Sequence, residues 1–490
     1  MKRRDLWKPL AAAVSAGQAH PQQRKRPNIL FALADDWMWP FASIAGDKVV
    51  KTPTFDRVAS KGVMFTNAFV SAPSCSPSRA AMLTGQWHWR LEEGANLNGV
   101  LPAKFSVYPD LLEQAGYYVG MTRKGWAPGN PNGGGRTRNP AGPRFDNFEA
   151  FYAARPKDKP FCFWFGSQDP HRPYEWESGV ESGMRPEDVK VPPYLADSEI
   201  TRKDICDYCW KIQRYDRETG AILALLEKAG ELNNTIFVMS GDNGWPFPRG
   251  KATLYEAGTH VPLAVMWPDR IQAGRKVEDF VSLSDLAPTF LEVGGLKPTP
   301  GMTGRSLMNV LTSSKSGRVD PKRDHVLTGM ERHVPCRGPD KRGYPMRALR
   351  THDFHFIRNF HPERWPSGDP APAEATFQQL AANTRTGYAD VDAGPSKANM
   401  VTHREDGQGK LLFDLAFGKR RERELYDLRT DPYCMHNVAA NPKYREILGQ
   451  LDARLTAELK GTRDPRIVGD GESFDRYINM ETQKKDAPGR

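Results

Sequence analysis

No uninterrupted stretch of the 490 residues approaches the roughly 18 apolar residues of a membrane-spanning helix, so a helical span of the bilayer is excluded. Cysteine is scarce, six in all, too few for a disulfide scaffold in so long a chain. Cys206 and Cys209 form a C-x-x-C inside a charged, helix-patterned segment. No second pair stands at zinc spacing, so they read as two thiols on one helical face. Zinc-finger spacing, RNP-like aromatic strands and basic amphipathic helices are also missing, which leaves nucleic acid without a recognisable binding element. There is no internal repeat. What is present is ordinary for a globular chain: 39% hydrophobic residues, raised by about 9 points by the 43 Gly, which excludes disorder and fibre. The formal charge, 69 − 59 = +10, suits polyanionic partners without naming one.

Residues 1–25 carry Lys2, Arg3 and Arg4 before a short Ala-rich run. They read as an export signal of twin-arginine type, or else as a disordered basic tail. The first reading places the protein in the periplasm or outside the cell, the second in the cytoplasm. Beyond them, short apolar runs at 29–34, 63–70, 117–122, 161–166, 235–240 and 261–267 alternate with helical patterns at 53–60, 78–84, 109–115, 203–230 and 284–293. This alternation predicts an α/β fold with a large mixed, mostly parallel sheet sandwiched by helices. That large domain is expected over 26–315. Past it the runs become shorter and more polar, predicting a smaller C-terminal domain over 316–465, an antiparallel sheet with a terminal helix at 442–459, and a tail at 466–490.

In an open α/β sheet, ligands bind beyond the carboxyl ends of the strands, where several loops converge. Five of the six runs deliver reactive groups to that rim: Asp35 and Asp36, Cys75, Lys124, Asp169 and His171, and Asp242 with Asn243. Asp35, Asp36, Asp242 and Asn243 form an all-oxygen set with three like charges, which repel unless a cation sits among them. Hard oxygen donors favour Ca²⁺, with Mg²⁺ second, over zinc. Cys75 precedes Ser76, a good helix N-cap, and Pro77, which suits the first helical turn. A thiol at a helix N-terminus is acidified into a nucleophile.

Cys75-Ser76-Pro77-Ser78-Arg79, continuing into Leu83-Thr84-Gly85, resembles the signature of the formylglycine sulfatases, and Asp35-Asp36 after Asn-Ile-Leu resembles their metal-binding start. The runs Asp242-Asn243-Gly244, Asp169-Pro170-His171-Arg172, Tyr344-Pro345-Met346-Arg347 and Glu424-Leu425-Tyr426-Asp427 are similar to the heparan N-sulfatase branch. The resemblance spans residues 26 to 463 and implies an alkaline-phosphatase-like fold. It implies that a maturation enzyme converts Cys75 to formylglycine, whose hydrate joins the four oxygen ligands on the cation. It implies further that Arg79 and Lys124 hold the hydrate and that Lys251 and His171 bind the sulfate and protonate the leaving atom, with Asp242 as a base. His88 and Arg347 are candidates for substrate contact, a core position being the alternative for His88. The expected partner is a sulfated carbohydrate of glycosaminoglycan type; the sequence leaves a homodimer open. Three positions depart from the pattern: Trp126 stands where the family usually has His, Lys251 where the N-sulfatase branch has Arg, and Gln168 where it has His. These departures weaken the N-sulfate assignment, and Trp126 keeps in play a sulfoglycan-binding protein with a decayed site; because tetrahedral dianions make similar demands, a phosphate or phosphonate ester hydrolase on the same fold is the other rival.

Overall fold

The computed structural model describes residues 26–480, so the candidate export segment lies outside the described residues. Among the described residues there are fourteen strands: β1 (Asn28–Ala34), β2 (Val63–Phe65), β3 (Ala68–Phe69), β4 (Tyr118–Arg123), β5 (Arg144–Phe145), β6 (Phe161–Gly166), β7 (Thr235–Gly241), β8 (Leu263–Met266), β9 (Arg275–Val277), β10 (Val281–Ser282), β11 (His325–Met330), β12 (Met346–Thr351), β13 (Phe354–Asn359) and β14 (Arg423–Asp427). Eight make one sheet in the order β5-β4-β6-β1-β7-β8-β2-β9. Its pairs are parallel except for β8, which runs antiparallel to both β7 and β2.

The run Asn-Ile-Leu-Phe-Ala-Leu-Ala can be continuously apolar because both faces of β1 are covered. Leu30, Ala32 and Ala34 enter one core, Ile29, Phe31 and Leu33 the other, as period two requires. The apolar run at 63–70 does not form one strand. Thr66 and Asn67 interrupt it, Asn67 Nδ2 donating to Glu278 O at 2.8 Å, and its second half, β3, pairs with β10 in a separate ribbon.

The small sheet is antiparallel, in the order β11-β12-β13-β14. The helix Arg445–Gly461 lays Leu451, Leu455 and Leu459 on its Leu327, Leu349, Phe356 and Leu425. Between β13 and β14 the chain leaves this sheet: Leu380, Tyr388, Val391, Val401, Leu412 and Phe417 join the core of the large sheet instead. Residues 466–480, expected as part of a tail, are tied down. Phe474 is buried beside Leu459, its carbonyl accepts from Asn96 Nδ2 at 2.8 Å, and Met480 N donates to Asn98 O at 2.8 Å. Cys206 and Cys209 lie buried and unpaired on the long helix Glu199–Lys228, where the expected pair of thiols is found.

Candidate active site

Register decides which residues meet. Ala34 of β1 pairs with Gly241 of β7, and Leu33 with Gly166 of β6, so the three central strands end at one level. Asp35 and Asp242 therefore leave the sheet side by side. Asp36 has a left-handed backbone, φ 72°, a strained state for a non-glycine residue. Two bonds fix it: Asp36 N donates to Asp242 Oδ1 at 2.9 Å, and Tyr208 OH to Asp36 O at 2.9 Å. Lys124 arrives from β4 because Gly166 lets the backbones touch. A Cβ there would lie 1.8 Å from Lys124 O.

The helix carrying the Cys-x-Pro-Ser-Arg run starts two residues earlier than its capping pattern predicts: it spans Cys75–Thr84 with Ser74 at the N-cap. The Ser78 N–H bonds to Ser74 O at 3.0 Å, and Ser74 Oγ is engaged by His333 Nδ1 at 2.8 Å, leaving Cys75 in the first turn. Burial pushes the Cys75 thiol far up, overriding Lys124 and Lys251, so the expected acidification is not found.

Single ligand atoms of Asp35, Asp36, Cys75 and Asp242 lie within 4.8 Å of one another, all buried. Asn243 donates its amide N–H to Asp36 Oδ1 at 2.6 Å, leaving its buried Oδ1 without a hydrogen-bond partner. Three crowded carboxylates and an orphaned amide oxygen are a donor set that suits Ca²⁺ or Mg²⁺. Around them stand three cations. Arg79 Nε bonds Asp242 Oδ2 at 2.7 Å, while its Nη1 donates to Lys124 O and Gly125 O at 2.7 and 2.8 Å. Lys124 Nζ lies 2.5 Å from Asp35 Oδ2, and Lys251 Nζ 2.8 Å from Asp36 Oδ2. Burial raises Asp35, but Lys124, His171, Arg79 and Lys251 prevail and hold its carboxyl well below the ordinary range. Burial pushes Asp242 up to about 6 against the pull of Arg79, with Asp35 repelling it. Arg79, Lys124 and Lys251 balance three carboxylates, so a bound divalent cation would leave an anion-attracting centre.

Asp35, Cys75, Lys124 and Lys251 of this group line a cleft of about 870 Å³. His171 sits at its mouth, its side chain 33% exposed, with Nε2 3.8 Å from Asp36 Oδ2. Its Nδ1 faces Arg172 O at 2.5 Å; a carbonyl only accepts, so Nδ1 carries the proton and Nε2 is the nitrogen free to exchange one.

Six residues correct or extend the expectations. His88 is fully buried against Ser71 Oγ, and Arg347 is fully buried between Glu331 and Asp464, so neither reaches the cleft. Trp126, in place of the family histidine, is a packing residue: buried below the Cys75 helix, its Nε1 donates to Ser76 O at 3.1 Å. Asp392 was missed; it lines the cleft 3.4 Å from Lys251 Nζ. Its loop, Ala389 to Ala393, has no strand-end or motif signal that could have singled it out. Lys211 and Arg214, one turn apart on the long helix, pair with Asp169 at 3.3 and 3.1 Å on the cleft wall; their helical spacing was legible, their direction was not.

A mostly parallel sheet whose carboxyl edge gathers three carboxylates, an amide oxygen and a cysteine in the first turn of a helix is an alkaline-phosphatase-like fold with a donor set suited to a divalent cation. The chain belongs to the sulfatase family, whose model matches residues 27–296; a second model, N-sulphoglucosamine sulphohydrolase, C-terminal, matches residues 241–361. Human N-sulphoglucosamine sulphohydrolase is 29% identical over 94% of this chain and 95% of its own length. An ulvan-active sulfatase of Formosa agariphila is 26% identical over 93% of this chain and 78% of its own. Among solved structures, one bound to D-glucosamine-2-N,6-O-disulfate superposes with a TM-score of 0.65 at 20% identity, covering 91% of this chain and 100% of the other. The phosphonate monoester hydrolase of Agrobacterium radiobacter gives 0.68 at 18% identity, covering 89% and 96%. At such identities these two likenesses speak for the fold alone.

Proposed function

We propose that this sulfatase releases sulfate from a sulfate ester or sulfamate of a sulfated, glycosaminoglycan-type sugar, using formylglycine made from Cys75 and a bound Ca²⁺. Asp35, Asp36, Asp242 and Asn243 would hold the ion, with the modified residue 75 beside it. When bound, the ion and the hydrated aldehyde would supply an activated hydroxyl at neutral pH. Arg79 and Lys124 orient that group, Lys251 meets the sulfuryl oxygens, and His171 gives its Nε2 proton to the leaving oxygen or nitrogen. The likeness to the human N-sulphoglucosamine enzyme along nearly the whole chain supports the sugar class. The same reading takes residues 1–25 as an export signal and requires a maturation enzyme, in the periplasm or along secretion.

One observation carries the reading: three carboxylates and Cys75 within 4.8 Å of one another, with Asp35 and Cys75 of that cluster lining the cleft. The test is sulfate release from glucosamine N-sulfate and from N-acetylglucosamine 6-sulfate, with protein from its native host. Release is expected to fall at least about a thousandfold in Cys75→Ala, to stop with a chelator and to return with Ca²⁺. A mass spectrum of the peptide spanning 71–79 should show the aldehyde. Faster turnover of aryl phosphate than of aryl sulfate would move the assignment to phosphate esters. An unmodified thiol with tight sulfoglycan binding and no release would make it a binding protein.

A further inference from the structure

Arg172 and Pro173 border two cavities at once, the cleft above Cys75 and a neighbouring hollow of about 480 Å³. The hollow is walled by Pro173, Tyr174, Trp176, Ile200, Phe377 and Ala381. Its two acids are committed elsewhere. Asp204 takes Arg172 Nη1 and Nη2 at 2.8 and 2.7 Å and Ser396 Oγ at 2.6 Å, and Asp207 accepts the N–H groups of Glu177 and Gly179 at 3.0 and 2.8 Å. What faces the space is apolar. Trp176 is 48% exposed, whereas Trp37, Trp89, Trp126, Trp164 and Trp245 are fully buried. A half-open indole beside a concave apolar wall is the composition of a ligand site rather than of a core.

We propose that this hollow is a second carbohydrate subsite, in which the apolar face of a further sugar ring lies on Trp176 while the sulfated sugar occupies the cleft. The proposal rests on the reading of the cleft as a sulfated-sugar site and deepens it: the substrate is an oligosaccharide, not a free monosaccharide. Continuity favours this occupant. The wall between the cavities is the run from His171 to Trp176, so the Cα atoms that carry the leaving-group acid and the indole stand at most about 18 Å apart, within the span of a short glycan. A pyranose ring offers C–H groups on one face and hydroxyls at its edge. An indole takes such a face with no charge of its own, which matches a hollow whose acids are already paired.

Calorimetric titration of the full chain with a heparin-derived tetrasaccharide and with glucosamine N-sulfate tests it. The tetrasaccharide is expected to bind more tightly. Trp176→Ala should weaken it roughly three- to tenfold, Trp176→Phe by less, and neither should change the monosaccharide affinity or the melting temperature. An equal loss for both ligands, an unchanged tetrasaccharide affinity, or no advantage of the tetrasaccharide overturns the subsite. Because binding is the readout, absence of sulfate release would count against the catalytic reading alone.

Discussion

Arg347 follows Tyr-Pro-Met in a stretch that resembles a substrate-facing motif, yet its guanidinium bonds Glu331 Oε1 and Asp464 Oδ2, both at 2.6 Å, and stacks over Trp89 with its centre 4.9 Å from the ring centroid. Nothing in the residue's neighbours along the chain announces this, because Asp464 lies 117 positions away. Removing one partner of a buried ion pair leaves charge without water or counter-charge. Arg347→Ala is therefore expected to cost about 3–5 kcal/mol, read as a lower denaturant midpoint, and Arg347→Lys to recover only part, since a single ammonium cannot replace the planar fork. His355 is a second case. Burial pulls its pKa down to about 4, offset only in part by Glu256. The unfolded chain protonates this ring near 6.5, so its stabilising effect is complete above that pH and fades as the pH falls through 4. The stability gap between wild type and His355→Gln should accordingly shrink by up to about 3 kcal/mol between pH 7 and pH 4. Asp207 and Asp216, each raised to about 6 chiefly by burial, run in the opposite sense: their contribution is complete below about 4 and lost as the pH rises through 6. The difference between the two proteins, rather than either curve, isolates the histidine.

The Cys75 helix shows how an element can be read at one end and misread at the other. Leu83-Thr84-Gly85 marked its end, and the structure gives the reason. Gly85 takes the left-handed cap at φ 65°, its N–H bonds Ala81 O at 2.9 Å, and a Cβ there would press on Met302 and Ala287 at 3.0 and 3.2 Å. Gly85→Ala is expected to cost about 1–2 kcal/mol in thermal or urea melts while sulfate release per folded molecule stays nearly unchanged, because Cys75 and Arg79 sit in the first turns. The start lies two residues before the one expected. Ser76 has the right chemistry for a cap, but the Ser78 N–H to Ser74 O bond begins the helix earlier, and His333 from beyond β11 holds Ser74 Oγ. Side-chain preference ranks caps; a distant partner chose between two serines.

Across the molecule, residues 377–417 leave the small sheet and pack on the large core, while Phe377 and Asp392 bring walls to both cavities. We propose that the units 26–315 and 316–465 unfold together for this reason; one calorimetric transition is expected, and two separated ones would show independent units. The residues able to bind a cation, the cysteine and the alternation of strand and helix were fixed by sequence, because parallel strands all end on one edge and whatever follows them must gather there. Burial was not, since it depends on partners far along the chain. That is why His88 and Arg347 turned inward, why burial raises the Cys75 thiol, and why Asp392 and Trp176 came to line the two cavities.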